Sequence, residues 1–129
     1  MATRFDALGI IVDDMAAAVA FYRLLGVDVA TGSEDESHVE AMLPGGIRIM
    51  WDTIEMVRSF STWDPPAGGH RIALAFLCDD PDEVDEAHRS LVSAGHRSHT
   101  APFDAPWGQR YATVLDPDGN PVDLFAPLA

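Results

Sequence analysis

Apolar and polar positions follow one order of periods, and that order occurs twice along the chain. Leu8, Ile10 and Val12 alternate with Ala7, Gly9 and Ile11, which predicts a strand. Asp13-Asp14 ends it, and Asp14 is placed to cap a helix. Met15, Val19, Tyr22 and Leu25 then recur at helical spacing, and Gly26 is the expected stop. A short strand is expected at Val27–Ala30, a polar loop at Thr31–Glu36, and a strand at His38–Leu43 with Val39, Ala41 and Leu43 inward. The turn at Pro44 and Gly46 leads to a last strand at Ile47–Asp52. The order is βαβββ.

From residue 70 the order returns. Ala73–Cys78 alternates, with Leu74, Phe76 and Cys78 on one side, and Asp79-Asp80 ends it. Pro81 and the acids Asp82, Glu83 and Asp85 suit a helix start, the helix runs to about Ser93, and Gly95 stops it. His96–His99 reads as short and extended, Thr100–Pro106 as a loop, and Trp107–Leu115 as a strand. The turn in D-P-D-G-N (Asp116–Asn120) opens the last strand, with Val122 and Leu124 inward and Asp123 and Phe125 on the other side. Ala7 matches Ala73, Asp13-Asp14 matches Asp79-Asp80, Gly26 matches Gly95, and Met50 matches Asp123. Landmarks in this order indicate an internal duplication. The expected organisation is a single domain over 1–129, of two modules, about 1–52 and 70–129. The linker 53–69 holds Met56, Phe60, Trp63, Pro65-Pro66 and Gly68-Gly69, and is expected to pack or to form a lid.

Charge then narrows the partners. The chain has 129 residues, 8 basic and 21 acidic, for a formal net charge of −13, and every basic residue is Arg. Such a field repels nucleic acid and anionic membranes and attracts cations. No apolar run is long enough to cross a bilayer and no signal peptide opens the sequence, so a cytoplasmic protein is expected. The lone Cys78 sits in an apolar run and reads as a small core residue.

The paired modules, the stretch D-M-A-A-A-V-A-F-Y-R-L-L-G (Asp14–Gly26), W-G-Q-R-Y (Trp107–Tyr111) and the D-P-D-G-N turn resemble the vicinal oxygen chelate superfamily. That superfamily includes glyoxalase I, extradiol dioxygenases and bleomycin-resistance proteins. The resemblance implies an α+β fold in which the two modules form an open, cupped mixed-sheet barrel with helices outside, and a homodimer. It also implies a metal on the concave face, held by a His on the first strand of each module and a Glu on the last. Those positions fall here on Ala7, Met50, Ala73 and Asp123. A methyl group cannot ligate, Met sulfur is too soft for the usual ions, and one carboxylate does not hold a divalent cation. No metal, no cofactor and no catalytic residue is therefore expected. A relocated set of His38, Glu40, Asp52 and Asp123 is the alternative, with these residues otherwise read as polar lining. His70 has the wrong parity, His88 reads as helical and solvated, and His96 and His99 as surface residues.

With the metal positions emptied, strand parity leaves a face with a floor of small residues (Ala7, Gly9, Ala73, Ala75) and walls of large ones. The expected ligand-binding set is His38, Glu40, Met42, Arg48, Met50, Asp52, Gln109, Tyr111, Asp123 and Phe125. Phe60, Trp63, Phe103 and Trp107 are placed in loops at the rim, where rings stack on a planar ligand. Similarity to the bleomycin-resistance branch implies a non-catalytic protein that sequesters an aromatic, cationic antibiotic or natural product. The alternatives are a glyoxalase- or dioxygenase-type enzyme with a relocated metal site, and a metal-free enzyme using Asp123, Glu40 or His38 as base.

Overall fold

A computed structural model describes residues 4–62, 64–65 and 72–129. The chain divides into two compact units, Met1–Pro66 and Ala67–Ala129. Each is a mixed sheet with helix packed on one face, an α+β arrangement as expected. In the first unit the order is β1 (Ala7–Val12), α1 (Met15–Leu24), β2 (His38–Met42), β3 (Arg48–Thr53) and a short α2 (Ile54–Arg58). In the second it is β4 (Leu74–Leu77), α3 (Pro81–Ser93), β5 (Arg97–Ala105), β6 (Gln109–Leu115) and β7 (Pro121–Pro127). The strands lie in the orders β1-β3-β2 and β4-β7-β6-β5. The first and last strands of each unit run parallel, and the hairpin strands antiparallel.

The two long helices begin and end alike. Asp14 accepts from the Ala17 amide at 3.2 Å and Asp80 from the Glu83 amide at 2.9 Å, which satisfies a donor in each first turn. At the other end the Val27 amide returns to the Tyr22 carbonyl and the Gly26 amide to that of Arg23; His96 to Leu91 and Gly95 to Val92 repeat this. Gly26 and Gly95 have φ of 90° and 96°, left-handed values that this closure needs. α1 buries Met15, Ala18, Val19, Phe21 and Tyr22 against its sheet, where Trp51 is fully buried with its ring 5.4 Å from that of Tyr22. Burying a side chain of this size contributes roughly 2–3 kcal/mol. α3 buries Val84 and Leu91, and Val114, Val122 and Leu124 form the core of the second sheet.

The hairpin turns differ in chemistry. In the first, Gly45 and Gly46 adopt φ of 97° and 90°. In the second, the buried Asp116 accepts from the Asp118 and Asn120 amides with one oxygen and from the Asn120 side chain with the other.

Three expectations are corrected. Val27–Ala30 is not a strand. Its valines are buried, but the carbonyls of Val29 and Ala30 accept from the Arg23 guanidinium at 3.1 and 2.7 Å, so a helix side chain takes the place of a neighbouring strand. Thr100–Pro106 is not a loop: β5 runs through to Ala105. Two shifts of register, between Ser98 and Thr100 and between Thr100 and Phe103, hide the period of two and make room for Pro102. Phe103 is therefore a strand residue, whereas Trp107 lies in the turn before β6 rather than within it. The linker 53–69 opens as α2, capped by Thr53, with Val57 buried. The lid expected there rests also on Trp63, Pro66 and Gly68-Gly69, which lie outside the described residues. Among the described residues no helix is long and apolar enough to cross a membrane.

Candidate functional site

Strand alternation turns one face of each sheet toward its helices and leaves the other free of helix. On the first sheet the helix-free side carries three rows: Ala7, Arg48 and Met42; Gly9, Met50 and Glu40; Ile11, Asp52 and His38. Small β1 residues leave room that Met50 uses: a Cβ built on Gly9 would lie 3.8 Å from Met50 Cε. The polar residues pair among themselves. His38 Nδ1 is 2.6 Å from Asp52 Oδ1, and His38 Nε2 is 2.7 Å from Glu40 Oε2. Arg48 donates to Glu40 and, at 2.6 Å, to Asp6.

Charge therefore alternates from Asp6 through Arg48, Glu40 and His38 to Asp52. The bonds to Glu40 and then Asp52 raise the pKa of His38, with burial opposing them. Glu40 is lowered by His38 first and by Arg48 second. With both ring nitrogens facing carboxylates, His38 serves as an imidazolium cross-brace, and each cation of the cluster is flanked by two acids.

The second sheet's helix-free side is differently made. Ala75, Asp123 and Thr113 share one row; Leu77, Phe125, Tyr111 and Phe103 share the next; Gln109 and Pro127 follow. Asp123 accepts from Tyr111 Oη at 2.6 Å and from Thr113 Oγ1 at 2.7 Å, one donor on each oxygen. No Arg or His forms an ion pair with it among the described residues. The Tyr111 hydroxyl is pushed up to about 12, by desolvation first and by Asp123 second, so it stays protonated and donates. The rings of Phe103, Trp107 and Tyr111 meet edge to face, with centroids 6.1, 6.3 and 5.3 Å apart. Trp107 is 58% exposed, and its Nε1 donates to Gln109 Oε1 at 2.9 Å.

The expected residues thus fall into two groups, each on one face of its own sheet. His38, Glu40, Met42, Arg48, Met50 and Asp52 share the first; Phe103, Gln109, Tyr111, Asp123 and Phe125 share the second, joined by Trp107 from its turn. Phe60 follows α2 and is 75% exposed. Trp63 and His70 lie outside the described residues. Expected to be solvated or at the surface, His88 is instead half-buried, bonds Ser98 Oγ at 2.7 Å and is lowered by burial. Asp6 precedes the alternating run, so no period marks it, although its carbonyl accepts from the Arg48 amide.

The metal set implied by the resemblance does not fit these residues. Met50 stands level with Gly9 and Asp123 with Ala75, so moving one step along either first strand still supplies no donor. Asp123 remains a single carboxylate already held by two hydroxyls. His38, Glu40 and Asp52 do not converge on a point, because the two carboxylates approach opposite ring nitrogens. Among the described residues no group of three or more His, Cys, Asp or Glu forms a metal site.

A family model described as the Glyoxalase/Bleomycin resistance protein/Dioxygenase superfamily matches residues 4–124. Solved structures give the same fold. A glyoxalase/bleomycin resistance protein/dioxygenase from Nocardioides is 22% identical, with 99% of this chain and 85% of that one covered and a TM-score of 0.74. A glyoxalase-related enzyme from Fulvimarina pelagi is 17% identical over 97% of this chain and 88% of its own, with a TM-score of 0.81. Lactoylglutathione lyase from Agrobacterium tumefaciens is 22% identical over 97% and 94%, with a TM-score of 0.67. No curated protein matches the chain.

Proposed function

The chain belongs to the glyoxalase/bleomycin resistance protein/dioxygenase superfamily, and within it we propose a non-catalytic binding protein that sequesters an aromatic, cationic antibiotic or natural product. One observation carries the reading. Asp123 has neutral hydroxyls, not a basic side chain, as its partners, and it stands beside three edge-to-face rings. A carboxylate neutralised by Arg has little left for a ligand; one held by Tyr111 and Thr113 is oriented but not cancelled. Rings at its side offer faces for stacking and for cation–π attraction. The net charge of −13 draws cations from solution toward it.

Binding alone suffices for such a function, since a drug held in complex is removed by mass action. The protein acts as a homodimer in the cytoplasm on this reading. Titration with metal-free bleomycin tests it. Tryptophan fluorescence is expected to fall to a plateau at a fixed stoichiometry, and the drug to be recovered unchanged. Consumption of the drug with turnover would overturn the reading. So would a stoichiometric divalent ion in the purified protein whose removal abolishes turnover of an α-ketoaldehyde adduct or a catechol.

A further inference from the structure

The inference rests on the reading of the second sheet's face as a ligand site, and it concerns what that ligand must display. An indole N–H only donates. The Gln109 atom 2.9 Å from Trp107 Nε1 is therefore its carbonyl oxygen, and chemistry alone decides which way the amide is turned. The Gln109 NH2 group is left with no acceptor among the described residues. It stands half-buried on the same side of β6 as Tyr111 and Thr113.

Position along the strand completes the argument. Asp123 lies beside Thr113, four residues along β6 from Gln109. At the rise of an antiparallel strand those two rows are about 13 Å apart. The Tyr111 ring, with Phe103 opposite it, lies between them, and the Trp107 ring meets both. The face therefore presents, in order, a pair of N–H donors, an aromatic surface and an uncompensated carboxylate.

We propose that this face selects an elongated planar aromatic cation bearing a carbonyl-type acceptor at the end remote from its charge, with Gln109 as the residue that selects for the acceptor. A ligand without the acceptor leaves the Gln109 donors to water or unpaired, which lowers its affinity relative to one that engages them. Asp123 discriminates on charge and Gln109 on the far end, so the two act on separate parts of one molecule.

Two probes test this: a biphenyl carrying an amidine at one end and an N,N-dimethylcarboxamide, which accepts but cannot donate, at the other, and the same biphenyl amidine with hydrogen in place of the carboxamide. Affinities are read by Trp fluorescence and calorimetry. In the wild-type chain the carboxamide probe is expected to bind about 5-fold tighter, the scale of one net hydrogen bond. Gln109→Leu is expected to erase that margin while still binding the simple amidine. Gln109→Glu keeps an oxygen for Trp107 but replaces the donors, and should reverse the preference. Equal affinities in the wild-type chain, or a margin that survives both substitutions, would overturn the proposal while leaving the site in place. If neither probe binds the wild-type chain, the reading of the face as an aromatic-cation site falls with it.

Discussion

On the first sheet His38 stands between Glu40 and Asp52, and Arg48 between Glu40 and Asp6. On the second, Asp123 stands between Tyr111 and Thr113. Corresponding strands supply both clusters: β3 and β7 carry the acids Asp52 and Asp123, and each is paired parallel to the first strand of its unit. The difference lies in what answers the acids. Basic partners close the first cluster on itself, so an incoming charge would have to displace a bond already made. Hydroxyl partners leave the second open. Related strands thus carry their acids one row apart, Asp123 at the place of Met50 and Asp52 at that of Phe125, and only the first cluster is closed by basic partners.

The largest effect that would break this comparison acts beneath the second face. Asp116 fixes the turn that feeds β7, and it accepts three hydrogen bonds while 2% exposed. Asp116→Ala is expected to cost about 3 kcal/mol in urea unfolding, within the usual range for removing a buried acceptor and leaving its donors unpaired. The first turn relies on glycine conformation and has no comparable side chain.

Next comes the charge itself. Asp123→Asn should weaken an aromatic amidine by about 10- to 30-fold, the scale of a charge-assisted bond, with the loss shrinking as salt is raised. Glu40→Gln on the other face should change the same affinity less than about twofold. Equal losses in the two variants would erase the distinction drawn between the faces. A smaller effect is expected from Trp107→Ala, about 5-fold in affinity, since it removes one stacking ring and leaves the carboxylate in place.

Smallest is the pH response of the first face. The folded-state pKa of His38 lies above its ordinary value of 6.5. Below that ordinary value the ring is charged in both folded and unfolded chains, and its pairs with Glu40 and Asp52 contribute in full. As pH rises through the raised folded value the proton leaves and the contribution is lost. The melting temperature should therefore fall slightly on the alkaline side of neutrality, and His38→Gln should flatten that part of the profile. A His38 titration midpoint at or below 6.5 by NMR would contradict the cross-brace.

Much of this is legible in the sequence. Period-two runs such as Val39 and Ala41, or Val122 and Leu124, put the right side chains in the core because one buried face imposes that period. Asp14, Asp80, Gly26 and Gly95 marked both helices by chemistry that acts within a few residues. What stayed hidden depends on distant partners. Val27–Ala30 has strand composition, but Arg23 settles its conformation from a helix away. Parity placed His38, Glu40 and Asp52 on one face, yet only the register of β2 on β3 brings His38 opposite Asp52. The alternation of β5 is broken by its own shifts of register, so Phe103 read as a loop residue. Nothing in the residue types distinguished an acid paired with Arg from one held by hydroxyls.

The broken register of β5 has a further bearing, on the life of the protein in a crowded solution. β5 is an outer strand of its sheet, and an outer strand offers unpaired amides and carbonyls on which another chain can grow. Two register shifts and a proline at position 102, which lacks an amide proton, spoil that template along most of its length. One outer strand of the other sheet, β2, is five residues long and bears His38 and Glu40. An irregularity that looks like a flaw in strand pairing thus acts as a guard against fibre growth, and straightening it would trade regularity for a tendency to aggregate.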